Sequence, residues 1–148
     1  MTEPLVSVKR LLPAEMGRVF EAWSSAEVMS RWFVVDPSWT VKATNDFRVG
    51  GKYRVEMRRD DGTVFLAFGE YLEISAPRRL VFTWSSALPA IDRSLVTIDL
   101  RPVGAATELT LTHEDLPDTD GGRAHSVGWE GTLNSLERHL MGETSSRQ

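Results

Sequence analysis

Apolar and polar residues alternate through LVSVKRL (5–11), the pattern of a strand with one face buried. The period then lengthens. Met16, Val19, Phe20 and Trp23 are spaced as one face of a helix, with Pro13 in a position that a first helical turn tolerates. Ser24-Ser25-Ala26-Glu27 has the form of a capping box, which predicts a second short helix carrying Val28, Met29 and Trp32. From Ser38 the period falls to two, and turn signals separate WTVKATNDF, GGKYRVEMRR, TVFLAFGEYLEI, LVFTW, SLVTIDLRP and ATELTLTHEDL, a six-stranded antiparallel meander. Asp60-Asp61-Gly62 is a strong hairpin signal, and residues 86–94 form the longest loop expected inside the sheet. Helical spacing returns from about Asp120 to Met141.

The strands are two-faced. Tyr53, Val55 and Met57 share one side of their strand, as do Leu80, Phe82 and Trp84, then Val96, Ile98 and Leu100, and finally Leu109, Leu111 and His113. By the same alternation Asp99 faces outward. A sheet with one apolar face and a long helix with one apolar stripe are both satisfied when the helix lies across the concave side, which gives an α+β domain. That domain is expected to occupy residues 1–141, with 142–148 as a flexible tail. Inside the long helix, GWEGTLNSLERHL (128–140) sets Trp129 between Gly128 and Gly131, each glycine costing about 1 kcal/mol relative to alanine. Close approach of neighbouring backbone at 128 and 131 would offset that cost.

Composition narrows the chemistry. Seventeen basic residues, scattered among 21 acidic ones, leave no footprint for a phosphate backbone, so nucleic acid is not expected as a partner. The absence of cysteine removes disulfides, thiolate metal sites and cysteine nucleophiles. No run of roughly 18 apolar residues or signal-like start is present, so membrane insertion is not expected and a cytoplasmic location is the default. Three histidines at 113, 125 and 139 make no i, i+4 pair, and no metal or other cofactor is expected. There is no nucleophile elbow, phosphate loop or dinucleotide fingerprint. Asp46-Phe47-Arg48-Val49-Gly50-Gly51 reads as a strand-entry turn in which the glycines serve the backbone and Asp46 pairs with Arg48 at the surface.

VFEAWSSAEVMSRWF, DFRVGGKYRVEMR, GEYLEISAPRRLVFTW, TELTLTHEDLP and GWEGTLNSLERHL occur in the order found in one branch of the START-related, birch-pollen-allergen-like (SRPBCC) superfamily. That branch is the family of domains like the C-terminal domain of activators of the heat-shock-protein-90 ATPase, and the resemblance runs from about residue 5 to 141. It implies a helix-grip fold: a curved six- to seven-stranded antiparallel sheet wrapped around a long C-terminal helix, with two short helices after the first strand. It also implies an apolar cavity between sheet and helix. Members of the superfamily use that cavity to carry lipids or hormones, to cyclise polyketides or to sequester reactive products, and the eukaryotic activators use a related domain for protein contacts. Fold alone does not choose among these.

The residues expected around the cavity are Trp32, Trp39, Tyr53, Met57, Phe68, Trp84, His113, His125 and Trp129. Each tryptophan can instead be plain core packing. His113 shares a face with Leu109 and Leu111, which makes it either a satisfied core histidine or a group that orients a ligand or carries a proton. His125 is a second candidate that can equally face solvent, and His139 is expected at the surface. The readings are then a protein that encloses a small apolar or amphipathic ligand, a cavity enzyme of cyclase, dehydratase or hydrolase type with His113 or a cavity carboxylate as proton carrier, or a module that contacts a chaperone. No residue is assigned a catalytic role, and a homodimer is compatible with the chain.

Overall fold

In the computed structural model, which describes residues 6–87 and 90–142, the N-terminal alternation becomes β1 (Val6–Leu12), with Val6, Val8 and Leu12 buried. Two short helices follow, α1 (Met16–Ser24) and α2 (Ala26–Trp32). Pro13 lies ahead of the first helix rather than in its opening turn, since Glu15 is the N-cap. The expected capping box is displaced by one residue. Ser25 caps α2 by accepting from the Val28 N–H at 3.2 Å, while Glu27 reaches forward to Arg31 at 3.4 Å instead of back to the cap.

The meander comprises β2 (Thr40–Asn45), β3 (Lys52–Arg58), β4 (Val64–Ser75), β5 (Arg79–Ser86), β6 (Ile91–Val103) and β7 (Ala106–Glu114). β1 adds to β7 at the edge, so the sheet is seven-stranded and antiparallel in the order β1-β7-β6-β5-β4-β3-β2. The loop expected over 86–94 is shorter than its composition suggests. β6 starts at Ile91, and the buried Ile91 and Ser94 explain why the strand extends back through polar Asp92 and Arg93. Residues 88–89 of that loop, and 143–148 of the expected tail, lie outside the described residues.

Register shifts add an extra residue to β4 between Tyr71 and Glu73, and to β6 between Ile91 and Ser94 opposite Trp84 and Ser86 of β5, and bend those two strands on either side of β5. The sheet thereby curls around α3 (Asp120–Leu140). Thr119 caps α3 by accepting from the Gly122 N–H at 3.1 Å. Trp129, Leu133, Leu136 and Leu140 form the buried stripe, each such side chain contributing about 1.5–3 kcal/mol by leaving water. At the other end, Arg18 of α1 donates to the Leu140 carbonyl at 2.8 Å. Arg10 of β1 holds Glu130 at 2.8 Å and Asn134 at 2.9 Å. His139, expected at the surface, is buried here because the first helices pack over the end of α3. Asp46 and Arg48 do pair, at 2.8 Å, and Asp99 points outward to Arg79 at 2.7 Å. Among the described residues no helix is long and apolar enough to cross a membrane.

The two glycines flanking Trp129 have different reasons. A Cβ on Gly131 would overlap the Val35 carbonyl oxygen, so the chain leaving α2 crosses α3 where there is no side chain. A Cβ on Gly128 would meet only Val35 Cγ2, at 3.9 Å, an ordinary contact. Gly131→Ala is therefore expected to destabilise by about 1–3 kcal/mol through overpacking, whereas Gly128→Ala should be neutral or stabilise by up to about 1 kcal/mol through helix propensity. Urea unfolding of the two variants checks this, and equal midpoints would contradict the crossing at Val35.

Candidate functional site

The ends of β3 and β4, the chain that follows α2 and the first half of α3 enclose a cavity of about 440 Å³. Phe33, Trp39, Met57, Phe65, Trp84 and Trp129 supply its apolar wall. Met57 and Phe65 come from directly opposed positions of β3 and β4, and Gly128 faces the space from the helix. Exposed Arg59, Ala124 and Val127 make the rim, where the Arg59 guanidinium lies 5.1 Å from the centre of the Trp39 ring.

Deeper in the grip the space is almost filled. A void of about 10 Å³ is walled by Trp23, Met29, Tyr53, Val55, Tyr71 and Phe82, and it shares Phe33 and Trp84 with the outer cavity. Those two rings stack at 6.2 Å and 23°, so they form the partition between the two spaces. Tyr53 is closed off by donating its hydroxyl to the Thr83 carbonyl, and burial pushes its ionisation well above the usual phenol range. Trp23 has the single buried side-chain N–H without a hydrogen-bond partner among the described residues.

Behind the wall runs a chain of buried hydrogen bonds whose direction is fixed by one fact: an indole N–H can only donate. Trp129 donates to His113 Nδ1 at 2.9 Å, so that nitrogen carries the lone pair. His113 Nε2 must then carry the proton, which it gives to Ser94 Oγ at 2.7 Å. Ser94 in turn donates to the Trp84 carbonyl at 2.7 Å. The Trp84 indole donates to His125 Nε2 at 3.2 Å, and His125 Nδ1–H meets the Gly121 carbonyl at 2.9 Å. Both imidazoles are thus neutral, in opposite tautomers, with both nitrogens of each in use. Burial lowers the pKa of His113 to about 3, with the neighbouring His125 as the lesser cause. Burial also lowers that of His125, partly opposed by the Gly121 carbonyl.

A sequence-family model described as activator of Hsp90 ATPase homolog 1-like protein matches residues 13–141. The chain belongs to this family. Among solved structures, this AHSA1-like domain is similar to protein CV1439 from Chromobacterium violaceum, with 25% identity and a TM-score of 0.82 over 91% of this chain and 95% of that one. Protein NE0264 from Nitrosomonas europaea gives 26% identity and a TM-score of 0.77 over 93% and 94%. The AHSA1-like protein from Aeromonas hydrophila shares the fold at 20% identity, with a TM-score of 0.76 over 97% of each chain. No curated protein matches the sequence.

Of the nine residues expected around the cavity of this AHSA1-like domain, the structure brings Trp39, Met57, Trp84, His125 and Trp129 together on its wall. Tyr53 borders the inner void instead. Trp32 is fully buried between the first two helices, where its indole donates to the Ala22 carbonyl at 3.0 Å. His113 has no exposure and stands behind Trp129, as the plainer reading of a satisfied core histidine has it. Phe68 requires correction, because it is 45% exposed on the opposite face of the sheet. In β4 the inward set is Phe65, Ala67 and Tyr71, and the near-continuous apolar run in VFLAFGEYL conceals that parity. Phe33, Val35 and Arg59 were missed because they lie past the ends of periodic elements. Among the described residues no group of acidic, cysteine or histidine side chains could hold a metal ion.

Two outcomes follow from the hydrogen-bond chain. A histidine held neutral in the fold but free to protonate when unfolded makes the unfolded state the better proton acceptor between the two pKa values. Stability is then full above pH 6.5 and falls as pH drops toward 3, by up to about 1.4 kcal/mol per pH unit for each such histidine. Unfolding free energies between pH 5 and 6.5, where carboxylates contribute little, should slope accordingly and slope less steeply in His113→Gln, where His125 and His139 still contribute. Trp129→Phe should also cost about 1–2 kcal/mol more than Trp23→Phe, since both lose the same ring volume but only the first strands a buried acceptor. Equal losses in urea unfolding would mean that the Trp129 bond contributes nothing.

Proposed function

We propose that this AHSA1-like protein binds a small apolar or amphipathic molecule in the cavity between α3 and the β3–β4 end of the sheet. The observation that carries the reading is an apolar space of about 440 Å³, inside the range of roughly 300–1,000 Å³ typical of small-molecule sites. Its walls are already held by interactions of their own. Thr132 donates to the Gly128 carbonyl at 2.8 Å, and the Trp84, His125 and Trp129 nitrogens are all committed to one another or to His113 and Gly121. Binding would therefore draw on burial of apolar surface, in a site whose shape needs little reorganisation.

The same commitments argue against a histidine-based enzyme, and among the described residues the lining of the cavity holds no carboxylate. A general base needs a free lone pair within reach of substrate, and neither His113 nor His125 has one. The family's name raises the third reading, stimulation of an Hsp90 ATPase, and the binding reading expects none in a direct ATPase assay.

Trp84 and Trp129 in the wall provide the signal for a test. Titration with an amphipathic fluorophore such as 1-anilinonaphthalene-8-sulfonate is expected to saturate with energy transfer from tryptophan. Gly128→Leu, which fills the open side of the helix facing the cavity, should weaken that response about tenfold or more while leaving thermal stability intact. A wild-type protein without a saturable response, or a variant that binds unchanged, would overturn the proposal.

A further inference from the structure

We infer that the enclosed molecule is an amphiphile carrying a carboxylate, which Arg59 receives at the cavity rim from its position over Trp39. This rests on the binding reading above and adds the chemical class of the ligand.

The polar groups around the cavity are the starting point. Of the polar side chains inside it, His125 uses both ring nitrogens within the protein and Thr132 spends its hydroxyl proton on the Gly128 carbonyl, so neither offers a donor to an anion. Arg59 is the charged side chain of the lining, and it stands where the apolar wall meets solvent. The chain as a whole is acidic, with a net charge of −4, and several of its arginines are bound to carboxylates: Arg48 to Asp46, Arg79 to Asp99, Arg101 to Glu108 and Arg123 to Asp120. Arg59 is placed on an aromatic face instead.

Two acids close to Arg59 and Trp39 in the chain, Asp61 and Asp36, form no ion pair with the guanidinium, although the Arg59 charge adds to the Thr63 hydrogen bonds in holding the Asp61 carboxyl below its usual range. Asp61 accepts the Thr63 N–H at 2.8 Å, and Asp36 accepts the Ser38 N–H at 2.9 Å and the Ser38 hydroxyl at 2.7 Å. Each carboxylate is folded back into its own turn. Those turns also fix the two partners. The Arg59 N–H bonds the Thr63 carbonyl at 2.8 Å and its carbonyl accepts the Gly62 N–H at 3.0 Å, while the Trp39 N–H bonds the Asp36 carbonyl at 3.0 Å.

A guanidinium held over an aromatic ring by its charge spends none of its five N–H donors on a hydrogen-bond acceptor there. Their fork matches the two oxygens of a carboxylate. An acid whose apolar body lies along Met57, Phe65 and Trp84 would have its charged end at the rim, where the guanidinium replaces lost water. A neutral amphiphile of the same shape gains the same burial without that exchange.

Isothermal titration with two matched pairs tests this: decanoate against 1-decanol, and 2-naphthoate against naphthalene-2-carboxamide. The wild type is expected to prefer the acid of whichever pair binds by about tenfold, a preference that shrinks as salt rises. Arg59→Gln, an exposed substitution, should lose the preference while keeping the affinity for the neutral member within about twofold, and Arg59→Lys should fall between. Equal binding of acid and neutral probe by the wild type, or a preference that survives in Arg59→Gln, overturns the headgroup inference. In either case the cavity reading stands if Gly128→Leu still removes binding of both members. Binding of neither pair overturns both.

Discussion

The placement of α3 depends on the hydrogen bond from the Trp129 indole to His113. That bond opens a circuit that leaves the helix, passes through β7 at His113, β6 at Ser94 and β5 at Trp84, and returns to the helix at His125. Its members cannot be exchanged singly. An indole only donates and a neutral imidazole has one donor and one acceptor, so the Trp129 bond dictates the protons of His113 and Ser94, and the Trp84 bond dictates that of His125. The two contacts on α3 lie one turn apart, at 125 and 129, and they set both the rotation of the helix and its height above the sheet. Apolar burial of Leu133, Leu136 and Leu140 supplies most of the attraction, but it is non-directional and would tolerate small rotations that the circuit does not.

The circuit also decides what kind of site the grip can contain. Three of its residues, Trp84, His125 and Trp129, are wall residues of the cavity, and they present rings to it while their nitrogens are turned to one another. Satisfying the core therefore removes the histidines from chemistry. What is left facing the interior is an apolar surface of fixed shape, with Arg59 at its edge. Gly128 belongs to the same arrangement, as the open space beside it is continuous with the cavity, whereas Gly131 serves the crossing of the chain at Val35.

Most of this was legible in the sequence where a periodic element carried it. The strand alternation placed Tyr53, Val55, Met57, Trp84 and His113 on the inner face, and the helical spacing put Trp129 beneath the helix. Legibility failed in three physical situations. In β4 nearly every position is apolar, so alternation could not tell Phe65 from Phe68, and only pairing with β3 decides the parity. Between α2 and β2 the chain has no period, yet Phe33 and Val35 join the expected Trp39 to form one side of the cavity from there. His139 became buried through packing of α1 and Arg18 against the end of α3, a contact separated by more than a hundred residues that local pattern does not carry. The family resemblance likewise implied a space between sheet and helix without saying how far it was filled. Aromatic packing around Trp23, Tyr53, Tyr71 and Phe82 closes the inner part and leaves the outer part open.

Rigidity and selectivity are linked in such a site. A wall locked by buried hydrogen bonds cannot remodel itself around different ligands, so it discriminates by shape and by whatever group stands free at its edge. The relatives from Chromobacterium violaceum and Nitrosomonas europaea share this architecture with about three-quarters of their residues different, which separates what the fold requires from what a ligand requires. The requirements of the fold are met by a helix stripe, two bends in the sheet and a close glycine crossing. None of these specifies a ligand. In this chain the residues that could do so are few, because the internal circuit has already used the polar atoms nearest the cavity. On the binding reading proposed above, selectivity would fall to Arg59, which lies over the Trp39 ring rather than in an ion pair.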